Sequence, residues 1–149
     1  MYDKIDLSSY KGKRIASFDF GLKRIGYATS DELHITVSPK KLFNTDSINL
    51  FQDITSTLVL DNVGLLVIGL PIRLDNQETE LMIKIREFAE KVKAISNLEY
   101  YFQDESYSTI SATQIQIASG TKKKKRSQKG AKDLIAAAII LKDFINEQS

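Results

Sequence analysis

Residues 64–69 (GLLVIG) carry no polar side chain, and Pro71 stops the run just after it. So short an apolar run reads as a strand covered on both faces, which demands a sheet with helices packed above and below it. The flanking sequence supplies such elements. Residues 14–20 (RIASFDF) and 25–30 (IGYATS) are β-rich and separated by a short turn punctuated by Gly21 and Gly26, which predicts a hairpin. A third strand lies within residues 35–43, interrupted by Pro39. Ile48, Phe51, Ile54 and Leu58 then recur at helical spacing, with Thr45 or Asp46 placed to cap the helix. Leu81, Ile85, Phe88, Val92 and Ile95 form a second helical stripe. Residues 98–102 read as a strand, 110–118 as a short helix and 132–145 as an apolar closing helix. The order β-β-β-α-β-α-β-α-α predicts an α/β fold, a mixed sheet flanked by helices, in a single domain over residues 1–149. Open α/β sheets bind ligands beside the carboxyl ends of their strands, which directs attention to Asp19, Gly69 and Phe102.

Composition removes several kinds of chemistry. There is no cysteine and one histidine, His34, so disulfides, thiolate zinc sites, cysteine nucleophiles and histidine clusters are excluded. With 42% hydrophobic and 27% charged residues the chain is neither disordered nor membrane-embedded in character. No apolar run approaches the ~20 residues of a membrane span, and Met1-Tyr2-Asp3-Lys4-Ile5-Asp6 has no signal-peptide pattern. The expected setting is the cytoplasm, with no membrane partner.

The net charge of +2 conceals a strong polarity. Residues 121–132 hold Lys122, Lys123, Lys124, Lys125, Arg126, Lys129 and Lys132 and no acid. Of the chain's 21 basic residues that leaves 14 elsewhere, against 19 acids. Such a segment either meets a polyanion or is a solvated surface loop.

Three acids stand where chemistry is expected. Asp19 interrupts an apolar run at a strand's end, where a carboxylate is costly unless paired, hydrogen-bonded or metal-bound. An exposed position on an alternating strand is its plainer explanation. Glu105 follows the last strand beside Asp104, where paired acids also serve as solvated or capping residues. Asp133 begins the closing helix, where a favourable meeting with the helix dipole would account for it alone. Together, three carboxylates from element ends that converge make an all-oxygen site suited to Mg²⁺ or Mn²⁺. With no histidine or cysteine base, a divalent ion is the available means of activating water for phosphodiester hydrolysis.

Four blocks at these positions resemble the YqgF (RuvX-type) family: Asp19-Phe20-Gly21-Leu22-Lys23-Arg24-Ile25-Gly26; Val67-Ile68-Gly69-Leu70-Pro71; Asp104-Glu105 with Ser108-Thr109; and Lys129-Gly130-Ala131-Lys132-Asp133-Leu134-Ile135-Ala136-Ala137. They fall in family order and span residues 14–146 with their linking elements. The resemblance implies an RNase H-like fold around a five-stranded sheet, and a nuclease with Asp19, Glu105 and Asp133 as catalytic and metal-binding carboxylates. It implies structured precursor rRNA as substrate, in 5′-end maturation of 16S rRNA during ribosome biogenesis, or branched DNA in the manner of a Holliday junction resolvase. Nucleic-acid contacts are expected from Lys23, Arg24, Arg73, Lys122, Lys123, Lys124, Lys125, Arg126 and Lys129. Both monomer and homodimer are compatible with the sequence. Leu22 stands where the family usually has Thr or Ser, and Ser106 where it has Arg; the second change removes a substrate or phosphate contact that Lys23, Arg24 or Arg73 would have to replace.

Competing readings are a phosphate-cradling ATPase of the actin-like group, which needs a second duplicated domain that 149 residues do not accommodate, and a non-catalytic nucleic-acid-binding module, which has no use for three acids facing phosphates. His34 reads as a surface residue. Tyr100, Tyr101, Phe102 and Tyr107 read mainly as sheet packing, with base stacking as the alternative. Replacing Lys122, Lys123, Lys124, Lys125 and Arg126 by serine should weaken nucleic-acid binding to a similar degree across sequences. It should also flatten the salt dependence by about 0.7–0.9 per lost phosphate contact. Binding isotherms at several salt concentrations check this, and an unchanged slope would make the run a solvated loop.

Overall fold

The computed structural model describes residues 4–71, 77–105 and 129–148, with side chains in the last segment from Gly130 onward. The helix expected at residues 110–118, the basic residues 122–126, Arg73, Ser106 and Tyr107 lie outside the described residues. Strands β1 (Arg14–Phe20), β2 (Arg24–Ser30), β3 (Val37–Asn44), β4 (Val63–Leu70) and β5 (Tyr100–Asp104) form one sheet in the order β3-β2-β1-β4-β5. β1 pairs antiparallel with β2 and parallel with β4, β2 pairs antiparallel with β3, and β4 pairs parallel with β5. The apolar run is therefore a parallel strand held between two neighbours, and all but one of the residues of β4 are buried. The expected hairpin is β1–β2, with Ala16 opposite Thr29 and Asp19 opposite Gly26.

Alternation along β1 assigns the two faces. Ala16 and Phe18 enter a core completed by Leu50, Ile54 and Leu58 of helix α1 (Leu50–Leu60) and by Ile85, Phe88 and Val92 of helix α2 (Glu80–Ser96). Phe18 stands at its centre, with ring centroids 5.3 Å from Tyr27 and 5.4 Å from Phe88. Ile15 faces the other way, with Leu65 and Val67, onto Ile140, Leu141 and Phe144 of helix α3 (Lys129–Glu147). Ser17 shares that face, its hydroxyl donating to the carbonyl of Ala137 at 2.6 Å. Tyr101 packs on Phe144 and Tyr100 on Phe102, so these rings serve sheet packing. His34 bonds to the Lys13 carbonyl at 2.8 Å, next to the start of β1 and so at the opposite end of that strand from Asp19.

Three element boundaries differ from the sequence expectation. α1 starts at Leu50 with Asn49 as its cap residue, not Thr45 or Asp46, and Ile48 is 96% exposed. The reason is local: Asp46 N–H donates to Asn44 Oδ1 and Ser47 N–H to the Asn44 carbonyl, while the Thr45 hydroxyl is committed to the Gly21 carbonyl at 2.8 Å. β5 runs two residues later than 98–102, because α2 ends in a left-handed Asn97 and Leu98 N–H is held by Ser96 Oγ. α3 begins at Lys129 rather than residue 132, which moves Asp133 out of its first turn and removes the helix dipole as that acid's explanation.

The approach of α3 to β2 is close enough to depend on Gly26. A Cβ at that position would lie 2.2 Å from the backbone oxygen of Asp133 and 2.9 Å from its carbonyl carbon. Because the obstacle is helix backbone, Gly26→Ala should displace α3 and cost about 1–3 kcal/mol or more. Thermal denaturation of the purified variant measures the loss.

Candidate active site

Strand and helix periodicities bring the acids together. Ser17 on β1 is tied to Ala137 on α3. Two residues along β1, about 6.7 Å further, comes Asp19 on the same face. Four residues back along α3, about 6 Å away, comes Asp133. The helix thus tracks the strand in the opposite sense, and the two carboxylates end on one edge of the sheet. Gly26, opposite Asp19 in the β1–β2 ladder, is the shelf on which the Asp133 carbonyl rests. A second glycine opens the other side. Gly69 follows Ile68, the β4 partner of Phe18. A Cβ on it would meet Glu105 Oε2 at 3.0 Å and Ile140 Cδ1 at 2.5 Å. Glu105, directly after β5, occupies the space this glycine leaves.

Asp19 and Glu105 form a carboxyl–carboxyl hydrogen bond. Burial first, then the neighbouring Glu105 and the charge of Asp133, push Asp19 up to about 8. Glu105 is also raised, by burial and by Asp104, with the hydrogen bond from Asp19 acting in the opposite direction. The two carboxyls titrate as a pair, each pushed towards its protonated form. Asp133 is paired with Arg24, whose Nε donates to its Oδ2 at 3.0 Å. The turn between β1 and β2 is braced by β3's exit, with Thr45 N–H bonded to the Lys23 carbonyl at 3.0 Å in addition to the hydroxyl contact at Gly21. Lys23 is exposed beside it, and Leu22 is 58% exposed. Lys23, Arg24, Leu42, Phe43, Asn44 and Asp46 line an open cavity of about 540 Å³ at the β2–β3 side of this turn.

Of the expected site residues, the structure joins Asp19 with Glu105 directly and sets Asp133 close enough to act on Asp19 electrostatically. Among the described residues no group of three or more acids or histidines is already drawn in to metal-holding distances. The donor chemistry nevertheless fits a hard divalent cation: three carboxylates lie near one another, Asp19 and Glu105 both pushed towards their protonated forms and Asp133 paired with Arg24. Lys129 opens α3, and its side chain and the remaining expected cations lie outside the described residues. Sequence reasoning placed Arg24 as a phosphate contact and missed its pairing with Asp133. It also missed Thr45 as the brace of the turn. The shelf glycines were visible only as punctuation, although their positions opposite and beside Asp19 carried the signal.

The fold is RNase H-like. It resembles Thermus thermophilus RuvC solved in complex with a Holliday junction substrate, with a TM-score of 0.60 and 12% identity, covering 92% of this chain and 96% of that one. A second Thermus thermophilus RuvC structure matches with a TM-score of 0.52. Fold, acids and relatives define the class, a hydrolase acting on phosphodiester bonds. The profile of the family described as "RuvX: Holliday junction resolvase" matches residues 13–147, and the chain belongs to that family. Its relatives include proteins named "Putative pre-16S rRNA nuclease" in Endomicrobium trichonymphae, 34% identical over 91% of this chain and 97% of the relative, and in Fusobacterium nucleatum, 33% identical over 90% and 97%. No helix among the described residues is long and apolar enough to cross a membrane.

The raised Asp19 makes metal-free stability depend on pH. Its folded-state value of about 8 exceeds the 3.8 of an ordinary aspartate, so between those limits the native state holds a proton that the unfolded chain has released. Stability should be greatest at the acidic end of this window and fall as pH rises towards 8. Asp19→Asn should remove most of that slope, as measured by denaturant unfolding in a chelating buffer across the window.

Proposed function

We propose that this chain is a divalent-metal-dependent nuclease of the cytoplasm, a single domain over residues 1–149, that trims the 5′ end of precursor 16S rRNA. The observation that carries the reading is the placement of the acids at the strand ends: Glu105 fills the space left by Gly69, and the Asp133 backbone rests on Gly26, the partner of Asp19 across the ladder. Asp19, Glu105 and Asp133 would hold Mg²⁺ or Mn²⁺ through carboxylate oxygens, the donors a hard divalent cation takes. When bound, such an ion lowers the pKa of water and offsets the charge building up on the phosphate.

The other residues act on the substrate. Lys23, exposed in the braced turn, and Arg24 draw the backbone phosphate into the open cavity they line. Arg73, Lys122, Lys123, Lys124, Lys125, Arg126 and Lys129 extend the electrostatic grip over a structured nucleic acid. Named relatives favour precursor rRNA. The family description favours branched DNA as the second substrate, and parallel cleavage of a precursor-rRNA fragment and a four-way DNA junction distinguishes the two.

Asp19→Asn tests the chemistry. It keeps the side chain's size while removing the charge that would hold the ion. Cleavage should fall by several orders of magnitude, because the ion supplies both the nucleophile and the charge stabilisation. Affinity for RNA without metal should hold or rise, since one charge opposing the phosphates is gone. An Asn variant cutting at the wild-type rate would overturn the metal-nuclease reading.

A further inference from the structure

Arg24 is placed between two uses. It opens β2 at the edge of the sheet where the acids gather, and its Nε donates to Asp133 Oδ2 at 3.0 Å. Both side chains are about one-third exposed, 34% and 32%, so the pair is accessible to competing ions. The Asp133 backbone is pressed against Gly26, where there is no room even for a Cβ. Any change of partner by Asp133 is therefore a side-chain rotation, with the helix staying where it is. Two forces set that rotation. The charge on the Asp19–Glu105 side repels the Asp133 carboxylate, as the mutual action of Asp133 and Asp19 records. The Arg24 guanidinium attracts it from the other side. A divalent cation among the acids reverses the first force and leaves the second unchanged.

We propose that Arg24 is a resident counter-cation for Asp133, keeping the third carboxylate turned away from Asp19 and Glu105 until an entering divalent ion takes it over. Arg24 is then a positioning residue that competes with the ion. The exchange has a structural outlet, because Arg24 also lines the open cavity of about 540 Å³ with Lys23, Asn44 and Asp46, so a released guanidinium remains in a solvated space with another carboxylate beside it. The inference rests on the metal-site reading above and adds to it that the ion site is opposed from within the protein.

Mn²⁺ titration calorimetry at fixed pH on wild type, Arg24→Gln and Arg24→Lys tests it without any cleavage assay. Removing the competing charge should tighten Mn²⁺ binding by about twofold to fivefold in Arg24→Gln, the scale of a partly exposed ion pair. The same variant should melt lower without metal and gain more from Mn²⁺ than wild type does. Arg24→Lys retains a cation and should stay near wild type. Mn²⁺ binding to Arg24→Gln that is equal to or weaker than wild type overturns the inference while leaving the metal site intact, as does a lysine variant that binds as tightly as the glutamine one. Absence of Mn²⁺ binding to folded wild type and to both variants overturns the metal-dependent reading itself.

Discussion

The backbone of α3 lies against the Cα of Gly26, and much of the molecule follows from that approach. Nothing larger than hydrogen fits between β2 and the Asp133 carbonyl. Nearby, the contact layer is built from Ala28, Ala137 and Ala138, all buried, so helix and sheet meet through small side chains. The Ser17 hydroxyl closes the same seam by donating to the Ala137 carbonyl, a bond that a helix standing further off could not accept. With the helix held this tightly at its first turns, its later turns bring Ile140, Leu141 and Phe144 over β1 and β4. The same seating brings an acid on the helix within electrostatic range of an acid on the sheet. Packing and site are thus one arrangement, and the small residues serve both.

That arrangement works against local stability. Two half-buried carboxyls are each pushed towards the protonated form, and a third charge stands close by, paired with an arginine. Apolar or neutral side chains at these positions would relieve both the desolvation and the repulsion. Local rules broken this consistently, inside a sheet that otherwise obeys burial and pairing, are what a site built for positive charge requires. Arg24 meets part of the requirement from within the chain and does so at a partly exposed position, where an ion pair is cheap to exchange.

Much of the fold was legible because its signals are local and periodic. The apolar 64–69 run is the buried parallel strand, and the Gly21–Gly26 punctuation is the hairpin. Hidden features depend on contacts distant in sequence. Thr45 has the composition of a helix cap but is taken by the Gly21 carbonyl, 24 residues away, so the helix starts later. The stripe predicted for α2 shifts by part of a turn: Met82 and Ala89 join Ile85, Phe88 and Val92, while Ile95 is left 42% exposed. Asp133 was placed in a first helical turn from its sequence neighbours. The helix in fact begins at Lys129, with Gly130 seated against Leu42, a contact with the edge strand that no local pattern encodes. For the site, residue type pointed to the three acids, but only the structure shows that two bond to each other while the third is held by Arg24.

An acidic body and a basic segment fit together once the site is considered as an obstacle to its own substrate. Carboxylates that would hold a cation repel phosphate whenever the cation is absent, and outside residues 121–132 acids outnumber basic residues by 19 to 14. Concentrated positive charge is needed near the acids to offset this. The chain supplies it by covalent proximity. Arg126 is seven residue steps from Asp133 and Lys122 eleven, and a chain spans at most about 3.3–3.6 Å per residue, so the covalent path limits the run to within ~40 Å of that acid. Its other neighbour along the chain is Glu105, across the connection from β5 to α3. On the proposed reading, tethering between Glu105 and Asp133 would give the cations a high effective concentration near the acids. Lys23 and Arg24 would then need only to orient a phosphate that the tethered charge draws in.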